Sequence, residues 1–233
     1  MSRRKPEILL AVQYFAKYAL KAKSKKYERQ LFGRSSYSQA GQDLFALWTS
    51  GFKKNGSYVE IGAHDPIRNS NSFLLEKNYG WRGVSVEIHQ SYAYFFNRRR
   101  TNPCLEQDAT CADYRAIFQK SNLPKEIDYL QVDIDPAIQS LRVLQSLPLD
   151  NYRFRAITFE HDRYQAGDDV MLQSREILLA HGYVLLLPNI RNIGLDFEDW
   201  WVDPTQVGEA ILAKKQDKPL SYEEAIRILL EAE

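Results

Sequence analysis

The chain has 233 residues, 44% of them hydrophobic and 26% charged, a balance that excludes a disordered or low-complexity protein. A formal net charge of +1 demands no polyanionic partner, and no nucleic-acid partner is expected. The charge is unevenly spread: residues 1–32 hold nine Lys or Arg against Glu7 and Glu28, a net +7, which leaves −6 for residues 33–233. Cys104 and Cys111 show neither CxxC spacing nor a neighbouring His pair, so the sequence predicts no disulfide framework or zinc site and a reducing cytoplasm.

Residues 6–31 read as a helix, with Pro6 in its first turn and Ile8, Leu9, Val12, Phe15, Ala16 and Ala19 at helical spacing. Its apolar stretch of about 13 residues, broken by Gln13 and Lys17, is shorter than the roughly 20 that span a bilayer. The Lys/Arg-rich face suits packing on the main domain or a second copy in a homodimer, or peripheral contact with an anionic membrane. The chain thus divides into a basic amphipathic helical extension, 1–36, and a main domain, 37–233.

From residue 57 strands and helices alternate. "SYVEIGA" (57–63), "WRGVSVEI" (81–88), "NPCLEQDAT" (102–110), "IDYLQVDID" (127–135), "FRAITFEHD" (154–162) and "YVLLLPNI" (183–190) are the strands. Helices are expected within 69–80, 91–100, 112–120, 137–148 and 169–182, and "LDFEDWWVDP" (195–204) closes the sheet region. A capping box from Ser221 to Glu224 opens a last helix. Such alternation predicts an α/β fold with a doubly wound, mostly parallel sheet and helices on both faces. Ligands of such sheets bind beyond the carboxyl ends of the strands.

Acids mark those ends: Glu60, His64 and Asp65 around Gly62 and Ala63, then Glu87, Asp108 beside Ala109, Asp133 with Asp135, and Glu160, His161 and Asp162. Gly62 allows close backbone approach, Glu87 can accept two ribose hydroxyls, and Asp108 can take an adenine amino group. "EIGAHDP" is not GxGxxG and carries Pro where a phosphate-cradling helix would begin. A cofactor with ribose and adenine but no phosphate, such as S-adenosylmethionine, fits these residues better than a dinucleotide.

"SQAGQDLFAL" (38–47), "GSYVEIGAHDPIRNSNSFLLEKNYGWRGVSVE" (56–87), "DAT" (108–110) and "IDYLQVDID" together resemble the FkbM-type S-adenosylmethionine-dependent methyltransferases, over about residues 38 to 162. The resemblance implies a Rossmann-like class I methyltransferase fold, with seven strands of which one is antiparallel. It also implies methyl transfer to an oxygen of a sugar or related metabolite. Carried over, Glu60, Gly62 and Ala63 border the cofactor, Glu87 holds the ribose, Asp108 faces adenine, and Gln39, Gln42 and Asp43 lie near the methionine end. Where such proteins commonly read Lys-Ile-Asp-x-Glu-Gly, this chain reads Gln131-Val132-Asp133-Ile134-Asp135-Pro136.

The fourth and fifth strands should be neighbours, so Asp133 and Asp135 would face Glu160 and Asp162. Four such carboxylates stay ionised only around a cation, Mg²⁺ or Mn²⁺ by their oxygen chemistry, as in the macrocin-type sugar O-methyltransferases that this cluster resembles. His161, less readily His64, would take the proton as general base, with Asp133 and Asp135 beside it. Metal-free catalysis and a solvated turn paired with Arg153, Arg155 or Arg163 are the alternatives. Trp200 and Trp201 read either as core and surface or as a stacking wall for a sugar, with Asn189, Arg191 and Asn192 as its polar complement. Arg98, Arg99 and Arg100 read as a solvated helix end or a phosphate patch. The expected acceptor is a small molecule or glycan precursor. The rival readings are a lipid-linked or peptide acceptor, and a non-catalytic binding module recruited by its N-terminal helix.

Overall fold

The computed structural model describes residues 27–231. Most of the helix predicted over 6–31 lies outside them, and where the two overlap the expectation fails. Arg29–Leu31 is a strand, β1, paired in a hairpin with β2 (Arg34–Ser36). Phe32 and Gly33, both at positive φ, make its two-residue turn. Arg29 ties this hairpin to the domain by donating to the Gln39 carbonyl at 2.7 Å.

Next comes α1 (Gln42–Thr49). The alternation then runs β3 (Ser57–Ile61), α2 (Phe73–Tyr79), β4 (Arg82–Glu87), α3 (Gln90–Arg99), β5 (Cys104–Glu106) and α4 (Tyr114–Lys120). It continues with β6 (Glu126–Val132), α5 (Ala137–Ser146) and β7 (Arg153–Glu160). The one-turn α6 (Arg163–Ala166), α7 (Asp168–Ala180), β8 (Val184–Asn192), β9 (Leu195–Val202), α8 (Glu209–Leu212), β10 (Leu220–Ser221) and α9 (Tyr222–Leu230) complete it. The predicted capping box stands at the start of α9, where Ser221 and Glu224 each bond the other's backbone.

The sheet has eight strands in the order β10–β8–β9–β7–β6–β3–β4–β5. Only β9 runs antiparallel to its neighbours. The count exceeds the expected seven because Leu220–Ser221 adds a short parallel strand beside Ile190 and Arg191. The architecture is the Rossmann-like methyltransferase fold that the sequence predicts.

Strand alternation divides the core into two layers. Val59, Leu130, Ile157 and Trp201 face one side, packed with Phe118 of α4, Leu141 of α5 and Leu178 of α7. Tyr58, Tyr129, Ala156 and Trp200 face the other, packed with Phe45 of α1, Leu74 of α2 and Ile226 of α9. Both tryptophans are fully buried, one in each layer, and Trp200 stacks on Phe45 at 4.7 Å. This corrects both readings of the pair: neither ring reaches the surface or walls a ligand. Burying a side chain of this size contributes on the order of 3 kcal/mol, which favours the core.

At the carboxyl edge, Gly62 donates to the Val86 carbonyl at 3.0 Å while Asp133 donates to the Ile61 carbonyl at 3.0 Å. Gly62 has φ +87°, and a Cβ there would lie 1.7 Å from the Asp133 carbonyl oxygen. Only glycine permits that approach. Gly62→Ala should therefore cost at least about 3 kcal/mol, read as a drop in the denaturant midpoint. A variant as stable as the wild type would refute this account of the turn.

Candidate active site

Strand order reverses between β3 and β6, and the loops leaving them part there. A cavity of about 560 Å³ opens at this point, within the size range of small-molecule sites. It gathers residues from five strand ends: Gly62, Ala63 and His64 after β3, Glu87 at the end of β4, Asp108 and Ala109 after β5, Asp133 and Asp135 after β6, and Glu160 and Asp162 at β7. Gln39 and Glu60 complete the predicted residues that line it.

Each acid is held differently. Glu87 accepts the His64 amide on one oxygen at 2.8 Å and the His89 amide on the other at 2.7 Å. Asp108 accepts the Thr110 amide and hydroxyl on the same oxygen, at 2.8 and 2.7 Å, which holds its pKa below the ordinary carboxylate value. Glu60 is buried and takes the hydroxyls of Ser72 and Ser85 on one oxygen, each at 2.7 Å; burial nevertheless pushes its pKa up. His64 is exposed, with its ring 4.1 Å from that of Tyr92.

One wall of the cavity is the loop between β3 and α2, which carries Asn69 and Asn71. Arg100 pins it. Its guanidinium donates to the Pro66 carbonyl, Ser70, Ser72 and Tyr58, and pairs with Glu76 at 2.8 Å. The side chain is buried, with its guanidinium 4.5 Å from the Phe96 ring centroid. Arg100 is neither a solvated helix end nor a phosphate patch, because each of its three nitrogens is already committed inside the protein.

At the opposite end, Asp133 and Glu160 are joined by a carboxyl–carboxyl hydrogen bond. Burial is the first cause that raises the pKa of both, so the pair retains a proton more readily than free carboxyls do. Asp135 is exposed, and Asp162 bonds the Tyr164 hydroxyl while its Oδ1 is buried without a partner. The predicted metal set of Asp133, Asp135, Glu160 and Asp162 does share the cavity. Yet among the described residues no group of three or more His, Cys, Asp or Glu is placed to hold a metal ion. A shared proton relieves the repulsion that the sequence reading assigned to a cation.

His161 is corrected more sharply. Its ring is fully buried away from the cavity, with Nε2 3.5 Å from Asp199 and Nδ1 accepting the Arg163 amide at 3.2 Å. Asp199 in turn is clamped by Arg175 at 2.7 and 2.8 Å. A side chain so placed takes no proton from an acceptor in the cavity. Asn189, bound by Arg175, and Arg191, paired with Asp196, also stand apart from it, as does Asn192.

Three predicted cofactor residues are structural in the same way. Asp43 is buried and accepts Ser36, Ser38 and the Tyr37 amide, fastening the hairpin to α1. Gln42 caps the Ala40 amide at 2.8 Å, and Asp65 accepts the amides of Ile67 and Arg68. The cavity recruits instead Asn71, Gln131, Gln139, Thr110, His89 and Tyr164. Gln131 was legible by parity, since it precedes Asp133 by two on the same strand face. The sequence offers no comparable signal for Tyr164.

No family model matches the sequence, and no curated protein matches it either. Solved structures do match in fold. A TehB-like SAM-dependent methyltransferase from Corynebacterium glutamicum is 10% identical, covering 85% of this chain and 97% of its own at a TM-score of 0.44. Aeropyrum pernix fibrillarin, crystallised with natively bound S-adenosyl-L-methionine, is 13% identical, with 75% and 82% covered and a TM-score of 0.43. An rRNA methylase from Streptococcus thermophilus is 11% identical, with 69% and 94% covered and a TM-score of 0.43. Likenesses this remote assign neither substrate nor mechanism.

Beside the Asp133–Glu160 pair, Glu198 is buried on β9 and accepts the Trp200 indole N–H at 2.8 Å. Burial pushes its pKa from 4.5 up to about 8. The folded protein therefore holds a proton there that the unfolded chain releases, and stability falls as pH rises from about 4.5 towards about 8. Glu198→Gln, uncharged throughout, should flatten that slope and raise the Tm at pH 8 by roughly 4 °C. Parallel Tm-against-pH curves for the two proteins would refute the assignment.

Proposed function

We propose that this chain transfers a methyl group from S-adenosylmethionine to a hydroxyl of a sugar or glycan precursor. The observation that carries the reading is one cavity in which Glu87, Asp108 and the Gly62 turn converge from three strand ends. The residues fit the cofactor. Glu87 spends one lone pair of each oxygen on a backbone amide and keeps others for two ribose hydroxyls. Asp108 has a second oxygen outside its Thr110 bonds for the adenine amino group. Ala63, Val86, Ala109 and Ile134 supply apolar contact, and among the described residues no Lys or Arg lines the cavity to oppose a positively charged ligand.

Asn71 adds a buried side-chain oxygen that lacks a partner, a further fit to a ligand rich in N–H and O–H donors. Bound there, the cofactor supplies an electrophilic methyl group on a sulfonium centre. Asp133, which lines the cavity beside Glu160, is the carboxylate that would accept the hydroxyl proton as the new bond forms. Amides such as Gln139 and Asn69 suit the many hydroxyls of a sugar.

Calorimetry with S-adenosylhomocysteine tests the cofactor half. Wild type should bind, and Glu87→Ala should bind at least about tenfold more weakly; a flat wild-type isotherm removes the reading. The catalytic half predicts that Asp133→Asn keeps cofactor binding while transfer to glycan acceptors falls about 10²-fold or more. Because the Asp133 pKa is raised, wild-type turnover should decline as pH drops through neutrality towards the ordinary carboxylate range. Retained turnover in Asp133→Asn would rule out Asp133 as the base.

A further inference from the structure

We infer that the methyl acceptor carries a protonated amine, seated against Asp135 and Asp162 at the β6–β7 end of the cavity. The inference rests on the cofactor reading above and adds the acceptor's chemical class. It starts from an imbalance: among the described residues, seven that line the cavity are Asp or Glu and none is Lys or Arg. Five of the seven are provided for. Glu60 takes two serine hydroxyls, Glu87 two backbone amides and Asp108 the Thr110 donors, while Asp133 and Glu160 satisfy each other.

Asp135 and the Oδ1 atom of Asp162 remain. The cation next in sequence, Arg163, is held by Asp168 and Asp196. Both lining histidines, His64 and His89, lie against Tyr92 at the Glu87 end. The Asp162 side chain shares in the hydrogen bonding of Glu160 and takes the Tyr164 hydroxyl, but its buried Oδ1 has no partner. An independent group points the same way: Gln131, 2% exposed, lines the cavity with its Oε1 unpartnered. The orphaned atoms are all oxygens, so what they lack is a donor.

Filling the cavity strips water from these carboxylates, and an uncompensated buried charge is costly. An ammonium group supplies both the charge and the donors. A phosphate, sulfate or carboxylate on the acceptor would be repelled, which excludes nucleotide-linked and phosphorylated sugars. The acceptor is thus an amine-bearing carbohydrate, methylated on oxygen while its amine provides the anchor.

A matched pair of probes isolates the amine. Chitosan tetrasaccharide, with free amines, and chitin tetrasaccharide, with the same amines acetylated, are titrated into protein saturated with S-adenosylhomocysteine. EDTA throughout removes divalent cations that could occupy the same carboxylates. The free-amine form should bind about tenfold more tightly, with the advantage shrinking as salt rises and falling in Asp135→Asn and Asp162→Asn. Equal binding of the two probes, tighter binding of the acetylated one, or binding of neither overturns the inference and leaves the cofactor reading standing. Failure of S-adenosylhomocysteine to bind overturns both.

Discussion

The ligand edge of this protein depends on the contact between Gly62 and the Asp133 carbonyl. Two parallel strands end side by side there, and the chain leaving β3 must turn without a side chain in the way. Because it does, the amides of Gly62 and Ala63 both reach Val86 of β4, and Asp133 follows Val132 directly out of β6. Glu87 and Asp133 then stand on opposite sides of one glycine. Arg100 sets the remaining dimension by holding the loop from Pro66 to Ser72, which has no regular structure of its own. Close packing at the floor and a buried cation behind the wall together define the cavity.

Outside the cavity several buried acids meet cations: Asp128 takes Lys53 and Arg155, Asp203 takes Arg153, and Asp199 takes Arg175, while Asp43 and Glu198 take hydroxyl, amide or indole donors. These pairs bind β6, β7, β9 and the neighbouring helices, and they leave nothing to recruit. Inside the cavity the acids meet hydroxyls, amides or one another, and no guanidinium enters.

Much of this was legible in the sequence because it follows from period-two alternation. The strands over 57–61, 82–87, 126–132 and 153–160 were marked by their apolar runs, and the acids that end them do share one edge. The same parity places Glu160 and Asp162 together and His161 between them on the other side, where it is found; the chemical appeal of a histidine hid that consequence. Arg100 was illegible because a run of three arginines gives no sign of which one turns inward. Here it is the residue that ends α3 and leaves it extended. Asp43 misled for a related reason, since an acid in the first turn of a helix serves equally well to fasten a hairpin as to bind a ligand. The β1–β2 hairpin was hidden by basic, helix-like spacing that ran up to Gly33.

Net charge conceals the feature that matters most for recognition. The chain as a whole is nearly neutral, yet residues 33–233 carry −6 against +7 in residues 1–32. Within the larger part, Arg and Asp pair across the sheet, while seven acidic residues gather in the cavity without a lysine or arginine among the described residues. Low-dielectric walls focus the field of such a cluster outward through the opening, drawing cations in and turning anions away. Under the proposed function, a positively charged methyl donor would be drawn in by that field, and an acceptor sharing the cavity would have to be compatible with the same sign. Selection by charge at the mouth thus precedes selection by hydrogen bonds at Gln131, Asn71 and Asp133 on the floor.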